Sequence, residues 1–264
     1  YKIIENIDLE GFDRKGISNF SGTLDGGLCT IRNLKSDKCG LFKRLDSGAC
    51  VKNIRLEDVE IATTTKTLGG IVSYIPSSAK DITIDNCMVS GILCNLYEGK
   101  SKLNFCGAIA GVIASRDCTV TNCSSSATVE AAHREGGIVG LNYGKISNSF
   151  FTGMLRCAYN DHDYCKKDMV IDENGEEMYN LLYYVGGVAG GIACVNFGEI
   201  SSCAVLLQGF DEHIYLGQIS GINIKNKGRI GDCFIPKSHE LFVAEHYDDI
   251  ANTLSSSGYS RIQC

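Results

Sequence analysis

Tryptophan is absent from this sequence of 264 residues, and proline occurs only twice. No apolar run is long enough to cross a membrane, and no two cysteines have the C-x-x-C spacing that is typical of zinc ribbons and thioredoxin-like redox sites. The 25 lysine and arginine residues are outnumbered by 31 acidic residues and form no basic block. These absences argue against membrane insertion, a structural zinc site and binding to nucleic acid, which requires clustered cations to neutralise phosphates.

The residues that are present indicate a folded chain rich in turns. Apolar residues make up 44% and charged residues 21% of the sequence, enough to form a core in one large domain or two small ones. Glycine occurs 30 times, well above its usual share of about 7%. Glycine without proline favours many turns in a regular scaffold over a low-complexity linker. The sequence opens at Tyr1 with no initiator methionine or signal-like stretch, so we expect it to be part of a larger chain.

A short phrase recurs seven times along the chain. Its clearest copies read GGIVGLNYGKISNSF, GGVAGGIACVNFGEISSCA and GQISGINIKNKGRIGDCF, and four looser copies precede them. The seven copies begin at Ser21, Cys39, Gly69, Gly107, Gly136, Gly186 and Gly217. Each copy ends in four residues, namely an aliphatic residue, a variable one, a small polar one, and a small or aliphatic one. The aliphatic positions are Ile31, Val51, Ile84, Val120, Ile146, Ile200 and Ile230.

The spacing of the copies indicates a constant unit with variable insertions. Successive aliphatic positions are as few as 20 residues apart, from Ile31 to Val51, and as many as 54, from Ile146 to Ile200. The unit is rich in valine and isoleucine and lacks a helical period, which excludes helical repeats. Strands stacked about 4.8 Å apart would turn equivalent positions into columns. We therefore predict an all-β fold, a right-handed parallel β-solenoid (β-helix) of about seven coils.

Two kinds of corner are expected in each coil. The polar position after the aliphatic one favours asparagine, which tolerates a left-handed backbone and can bond the amide of the coil above. These polar positions are Asn33, Asn53, Asn86, Asn122, Asn148, Ser202 and Asp232. Paired glycines predict a second corner that needs either a positive φ or close backbone approach. The pairs are Gly69 and Gly70, Gly136 and Gly137, and Gly186 and Gly187.

These phrases resemble a known repeat family. GGIVGLNYGKISNS and its relatives resemble the GLUG repeat, and SGTLDGGLCTIRNLK resembles the opening coil that precedes such repeats in bacterial surface proteins. The same combination occurs in adhesin-like proteins and in the N-terminal regions of immunoglobulin A-cleaving zinc metallopeptidases. The resemblance covers about residues 1–236 and departs from the pattern at Lys43, Arg44, Ala108 and Gln218. It implies a solenoid scaffold, and no HExxH motif is present to carry over protease activity.

The cysteines allow two interpretations. Cys87 and Cys123, like Cys203 and Cys233, hold the same position in consecutive coils, within the distance that a disulfide can bridge. A thiol is also a small apolar side chain that packs well in a core, so stacked reduced thiols are the alternative. Cys157 and Cys165 could likewise form a loop cystine or remain two thiols. With His162 they give only three soft candidate ligands, so no metal or other cofactor is predicted.

A long insertion is the predicted binding face. Insertions are expected at about residues 93–105 and 154–184, and loops on a rigid scaffold commonly carry recognition. Tyrosine suits such surfaces because it offers a broad contact area at little entropic cost. The candidate binding residues are Tyr159, Tyr164, Tyr179, Tyr183 and Tyr184. The alternative is that these rings cover the side of the solenoid.

An enzyme is the competing hypothesis, because parallel β-helices include polysaccharide lyases and hydrolases. Such enzymes need carboxylates gathered on neighbouring coils. The exposed position of the repeat reads Arg32, Lys52, Asp85, Thr121, Ser147, Ser201 and Gly231, which includes one acid. The residues therefore favour a non-catalytic chain and nominate no catalytic residue.

The chain divides into a solenoid over residues 1–236 and a C-terminal helical cap over residues 237–264. The cap is predicted from the apolar spacing in SHELFVAEHYDDIANTLSSSG, and it would cover the exposed edge of the last coil. The function that these observations favour is an adhesin-like binding or spacer module of a larger bacterial protein, located extracellularly or at the cell surface. Its expected partner is a host or matrix protein or a surface glycan, with no nucleic acid and no membrane insertion.

Overall fold

The computed structural model describes residues 1–12, 16–97, 104–158, 188–210, 215–217, 219–223 and 227–234. These ranges contain 30 β-strands and no helix, and hence no helix that could span a membrane. The predicted C-terminal helical cap, residues 237–264, lies outside the described residues. The predicted all-β class is confirmed.

The strands are short, most of them two to four residues, and two are longer. The first fifteen are β1 (Ile7–Asp8), β2 (Ile17–Phe20), β3 (Thr23–Asp25), β4 (Thr30–Arg32), β5 (Lys35–Ser36), β6 (Phe42–Leu45), β7 (Cys50–Lys52), β8 (Arg55–Thr63), β9 (Thr67–Gly69), β10 (Val72–Ile75), β11 (Ile82–Asp85), β12 (Met88–Asn95), β13 (Phe105–Gly107), β14 (Ala110–Ile113) and β15 (Cys118–Thr121). The others are β16 (Ser124–Ser125), β17 (Thr128–Ala131), β18 (Arg134–Gly136), β19 (Val139–Asn142), β20 (Lys145–Ser147), β21 (Phe150–Phe151), β22 (Met154–Cys157), β23 (Val188–Gly190), β24 (Ala193–Asn196), β25 (Glu199–Ser201), β26 (Ala204–Val205), β27 (Gly209–Phe210), β28 (Tyr215–Gly217), β29 (Ser220–Asn223) and β30 (Arg229–Gly231).

Four parallel sheets run along the molecule, and the chain visits them in turn. Sheet I has the order β3-β7-β11-β15-β20-β25-β30, and sheet III has the order β2-β6-β10-β14-β19-β24-β29. Sheet II follows β1-β4-β8-β12-β16-β21-β26, with β5, β17, β22 and β27 alongside. Sheet IV has the order β28-β23-β18-β13-β9. Each strand pairs with its equivalents in the preceding and following coils, which is the architecture of a parallel β-solenoid with seven strands in sheets I and III.

The predicted aliphatic column exists and lies in sheet I. Ile84 is paired with Val120, Val120 with Ile146, and Ile146 with Ile200. All four side chains are fully buried. The complete column reads Leu24, Val51, Ile84, Val120, Ile146, Ile200 and Ile230. Its two terminal members are only half-buried.

The prediction was wrong for the first coil, where Leu24 and not Ile31 occupies this column. Ile31 lies in sheet II, paired with Leu56. Asn33 separates β4 from β5, and both strands pair with β8 on either side of Asp58, whose φ is 54°. The same local motif, an aliphatic residue two positions before a left-handed asparagine, thus forms two different bends, and sequence spacing alone does not tell them apart.

The asparagine corner is confirmed in geometry. All seven predicted polar positions have a positive φ, between 47° and 57°. The amide of Asn86 donates to Asn53 Oδ1 at 2.7 Å, while the amide of Asn122 donates to Asp85 Oδ1 at 2.8 Å. Side-chain hydrogen bonds therefore join Asn86 and Asn122 to the preceding coil, and they offset the cost of a left-handed backbone at these two positions.

The glycine corner is explained by close backbone approach, the second of the two predicted causes. A Cβ atom on Gly136 would collide with the carbonyl oxygen of Val139, and one on Gly190 would collide with that of Ala193. The register pairs Gly136 with Gly190, so the sixth copy has its glycine step four residues later than the predicted Gly186. The prediction of Gly186 was therefore wrong. GGVAGG contains two glycine pairs, and only the second pair begins as many residues before Ile200 as Gly136 lies before Ile146.

A second asparagine ladder, inside the core, was not predicted. Asn142, Asn196 and Asn223 are fully buried, and they replace the isoleucines of earlier coils in the same column of sheet III. Asn142 Nδ2 donates to Asn196 Oδ1 at 2.9 Å, and Asn196 Nδ2 donates to Asn223 Oδ1 at 2.8 Å. Asn142 Oδ1 also accepts the amide of Gly144. The sequence signal that could have revealed this ladder is the Asn-x-Gly spacing in LNYG and VNFG.

The strands also refine the two expected insertions. Residues 93–95 belong to β12, in register with β8 and β17, and residues 154–157 form β22. Both stretches are thus part of the coils, although the sequence placed them at the start of the insertions. The residues that follow them, 98–103 and 159–187, lie outside the described ranges.

The buried column predicts a sharp contrast between adjacent residues of β20. Ile146→Ala should lower the free energy of unfolding by about 2–5 kcal/mol, because it opens a cavity in a closely packed file. The measurement is denaturant unfolding. The matched control is Lys145→Ala, which alters an exposed side chain of the same strand and should change stability by no more than about 0.5 kcal/mol. Equal losses in the two variants would contradict the burial of the column.

The corner predicts that glycine is a better substitute than alanine at position 86. Asn86→Gly loses the bond to Asn53 and keeps the left-handed backbone, whereas Asn86→Ala loses both. Alanine should therefore be less stable than glycine by about 1–2 kcal/mol. Thermal or denaturant unfolding of the two variants measures this difference, and an alanine variant as stable as the glycine variant would argue against a left-handed residue there.

Candidate functional site

The predicted binding tyrosines lie outside the described part of the chain, as does Cys165. Their positions, Tyr159, Tyr164, Tyr179, Tyr183 and Tyr184, all fall within residues 159–187. The described residues that flank this segment are Ala158, which follows the end of β22, and Val188, at the start of β23. The tyrosine site thus stays a prediction, and the strands beside it define the surroundings that can be analysed.

The exposed large apolar side chains are concentrated on one side of the solenoid. Eleven such residues are exposed in the described ranges. Five belong to the first 28 residues, and the other six lie on sheet II, directly follow one of its strands or, in the case of Phe234, bridge its strand β26. These six are Ile92, Leu96, Phe150, Leu206, Phe210 and Phe234. Ile92 is 51%, Phe150 40% and Phe234 57% exposed. Phe210 is in register with the buried Leu155 and so belongs to an inward column, whereas the other five form an outer cluster of the kind that is typical of interaction surfaces.

Two outward columns of sheet II carry most of this surface. Phe150 is in register with Ala204, which bridges Phe234 in the next coil. Ile92 is in register with Thr128, which pairs with Met154. We call this outer surface of sheet II the apolar face; its members are Met88, Ile92, Phe150, Met154, Leu206 and Phe234. Through Met154 it includes β22, the strand at which the long predicted insertion of residues 154–184 begins.

The same sheet is charged in its first coils. Arg32 pairs with Glu57 at 2.9 Å, and Lys35 pairs with Glu60 at 2.7 Å. Glu60 is the residue that Ile92 replaces one coil later. The outer surface of sheet II therefore changes from ion pairs to apolar side chains along the solenoid.

The predicted exposed column contains one acid, Asp85, which lies on sheet I. Its neighbours in that sheet are Lys52 and Thr121, so this carboxylate lies beside a cation.

Two buried charged residues, adjacent in β18, were missed by sequence reasoning. Arg134 and Glu135 of β18 are both buried, and Arg134 donates a hydrogen bond to the carbonyl oxygen of His133 at 2.8 Å. Burial lowers the pKa of Arg134, while Cys194, Glu135 and Cys157 favour its charged form. In the sequence, Arg134 directly follows His133, and the five histidines are scattered along the chain without a pattern. The sequence alone did not distinguish this Arg-Glu pair from exposed charges.

Tyr143 supports the wall of the solenoid. Its ring stacks on that of Phe197 with centroids 4.4 Å apart and an interplanar angle of 2°. The guanidinium of Arg116 lies 5.9 Å from the centroid of the Tyr143 ring. Phe197 is buried, so this pair acts as a packing contact between consecutive coils rather than as a platform for a ligand.

The predicted thiol column is present. The Sγ atoms of Cys87, Cys123, Cys203 and Cys233 each donate to the carbonyl oxygen two residues earlier, at 3.2–3.4 Å. Ser149 makes the same contact through its hydroxyl at 2.8 Å, which explains why either cysteine or serine can occupy this corner. These four cysteines are free thiols in the structure, and disulfide closure stays a prediction. Among the described residues no group of three or more His, Cys, Asp or Glu side chains could hold a metal ion.

The protein matches no family model, and no curated protein is significantly similar to it in sequence. One solved structure that resembles it is the crystal structure of a putative immunoglobulin A1 protease from Bacteroides ovatus. That match covers 90% of this chain and 68% of the other, with 21% sequence identity and a TM-score of 0.59. It shows a shared fold. It also agrees with the expected link to the N-terminal regions of immunoglobulin A-cleaving peptidases, whereas membership in the GLUG family stays a prediction.

The buried thiols predict a loss of stability in alkali. Burial raises the pKa of Cys118 to about 12 from 9.0, so above about pH 9 the unfolded chain releases a proton that the folded chain retains. The free energy of unfolding should therefore fall as the pH rises from about 9 to about 12, and Cys118 alone should account for about 2–3 kcal/mol at about pH 11. Unfolding titrations at several pH values measure this slope.

The control for this experiment is Cys118→Ser, whose hydroxyl does not ionise in that range. The variant should lose less stability than the parent protein between about pH 9 and about pH 11. Other buried thiols, such as Cys106 and Cys194, will still contribute, since burial raises their pKa as well. Parallel pH profiles for the two proteins would contradict the burial of Cys118.

Proposed function

We propose that this chain is a non-catalytic binding module of a larger secreted or cell-surface protein, and that it contacts a protein partner through the apolar face. The observation that supports this proposal most is that, among the described residues beyond residue 28, the exposed large apolar side chains lie along sheet II, all except Phe210 in its outward columns. A rigid stack of coils can hold such a surface without reorganisation, which lowers the entropic cost of binding.

The composition of the apolar face favours a protein partner over a glycan. Phenylalanine and methionine are enriched at the centre of protein interfaces, and polar groups form the rim. Phe150, Met154 and Phe234 supply such a centre, while the ion pairs of Arg32 and Lys35 lie in the first coils of the same sheet. A glycan would rely instead on the predicted tyrosines of the insertion, so the two partner classes point to different residues.

The resemblance to adhesin-like surface proteins supports the proposed setting. A host or matrix protein is the class of partner that it implies, and the longer structural relative is compatible with a module inside a larger chain. The competing hypothesis, a glycan-processing β-helix enzyme, would require carboxylates that are free to act as acid and base. In the first coils, the acids Glu57 and Glu60 are instead engaged by Arg32 and Lys35.

The apolar face predicts a loss of binding from paired substitutions. Ile92→Ser combined with Phe150→Ser should weaken binding to a matrix protein, chosen from an immobilised panel, by about tenfold or more, because central apolar residues dominate interface energies. Thermal unfolding should change less than binding does, since both side chains lie on the outer surface and leave the buried core intact. Surface plasmon resonance measures the affinity.

Two controls separate the proposed face from its alternatives. Lys145→Ser changes an exposed residue of sheet I and should leave binding unchanged. Deletion of residues 159–184 tests the predicted tyrosine surface: if only this deletion abolishes binding, to either the protein panel or a glycan array, the insertion and not the apolar face is the site. Release of reducing ends or unsaturated uronides from common polysaccharides would contradict the non-catalytic assignment.

A further inference from the structure

Cys203 and Cys233 are held in register by pairs on both sides of them. Ser201 pairs with Gly231 in sheet I, and Ala204 bridges Phe234 in sheet II. Cys203 therefore lies one strand spacing from Cys233, within the Cα separation that a disulfide accepts. Both thiols are buried, and each donates to the carbonyl two residues before it, so the two sulfur atoms lie on the same inner corner.

Cys87 and Cys123 form an equivalent pair in the middle of the stack. Asp85 pairs with Thr121, and Met88 pairs with Ser124. These pairs place Cys87 and Cys123 at equivalent positions of adjacent coils, one strand spacing apart. Coils lie on both sides of this pair, with Ile54 and Ser149 as its neighbours in the column. Cys233, in contrast, belongs to the last described coil, between the exposed residues Gly231 and Phe234.

The two thiols of the outer pair, Cys203 and Cys233, differ in acidity. Contact with the Cys203 thiol lowers the pKa of Cys233 from its ordinary value, while contact with Cys233 raises the pKa of Cys203. In the inner pair, the bond to Cys87 and burial both raise the pKa of Cys123. Because the thiolate is the species that attacks a disulfide, Cys233 is the attacking member of the outer pair.

We propose that Cys203 and Cys233 form a disulfide that links the last two described coils in an oxidising compartment, while Cys87 and Cys123 remain reduced. The Cys233 thiolate attacks a small-molecule disulfide, such as oxidised glutathione, and forms a mixed disulfide with release of one glutathione. The sulfur of Cys203 then loses its proton and attacks the Cys233 sulfur, which releases the second glutathione. In total, two protein S–H bonds are lost, one S–S bond forms, and one oxidised glutathione becomes two thiols that carry the two protons.

Such a link would act at the last two described coils. Asp232 and Phe234, on either side of Cys233, are exposed, and local opening is easiest where the surroundings are least buried. The linked coils also carry Leu206 and Phe234 of the apolar face, and a disulfide would keep that end of the face in place. The reduced inner pair gains less from a link, because it is held between coils on both sides.

The test is oxidation of the full chain by oxidised glutathione at about pH 8, followed by acid quenching, alkylation of the remaining thiols and peptide mass spectrometry. The linked peptide of Cys203 and Cys233, lighter by two hydrogens, should appear about ten times faster than any link between Cys87 and Cys123. Closure of both pairs at equal rates, earlier closure of the inner pair, or no link between Cys203 and Cys233 would each overturn the proposal.

Two matched variants give a second readout. Cys203→Ser and Cys87→Ser should both fold, because Ser149 occupies the same column. Oxidation should raise the midpoint of thermal unfolding by about 5 °C or more in the parent protein and in Cys87→Ser, because the link restricts the unfolded chain. It should leave the midpoint of Cys203→Ser unchanged. A rise in Cys203→Ser similar to that in the parent would also overturn the proposal.

Discussion

The in-register stacking of one short strand on its equivalent in the next coil is the constraint on which the rest of the structure depends. Parallel pairing at a constant spacing places Ile84, Val120, Ile146 and Ile200 in one buried file. Burial of each aliphatic side chain contributes about 1.5–3 kcal/mol, and a slip by one residue would expose the whole file. The register also places the corner asparagines, the thiols and the apolar face, since each of these is a column in the same stack.

Much of the fold could be predicted because the constraint repeats. A single copy of the phrase would fit many structures, but seven copies with unequal spacing fit a solenoid with loops of variable length. The corner residues were also predictable, as Asn86 and Asn122 adopt the left-handed backbone that few other residues tolerate. The same reasoning was wrong at Ile31 and Gly186, where a local motif or a glycine pair occurs twice and only the pairing with the next coil decides between the alternatives.

The features that sequence reasoning missed depend on which way a side chain faces. Asn142 and Asn196 look like turn residues, yet they form a buried ladder because their neighbours in the column satisfy their amides. Arg134 and Glu135 look like exposed charges, yet both are buried. The apolar face was equally hidden, because Ile92 and Phe150 are far apart in sequence and share a surface only through the pairing of sheet II.

A rigid column with one apolar side is a suitable scaffold for recognition, and the proposed function depends on the register that creates this side. The most direct test of that register is methyl NMR on protein labelled at isoleucine and valine methyl groups. We expect nuclear Overhauser contacts between Ile84 and Val120, Val120 and Ile146, and Ile146 and Ile200, and none between Ile84 and Ile200, which would lie about 14 Å apart. A missing contact between any of these neighbours, or a direct contact between Ile84 and Ile200, would contradict the stack.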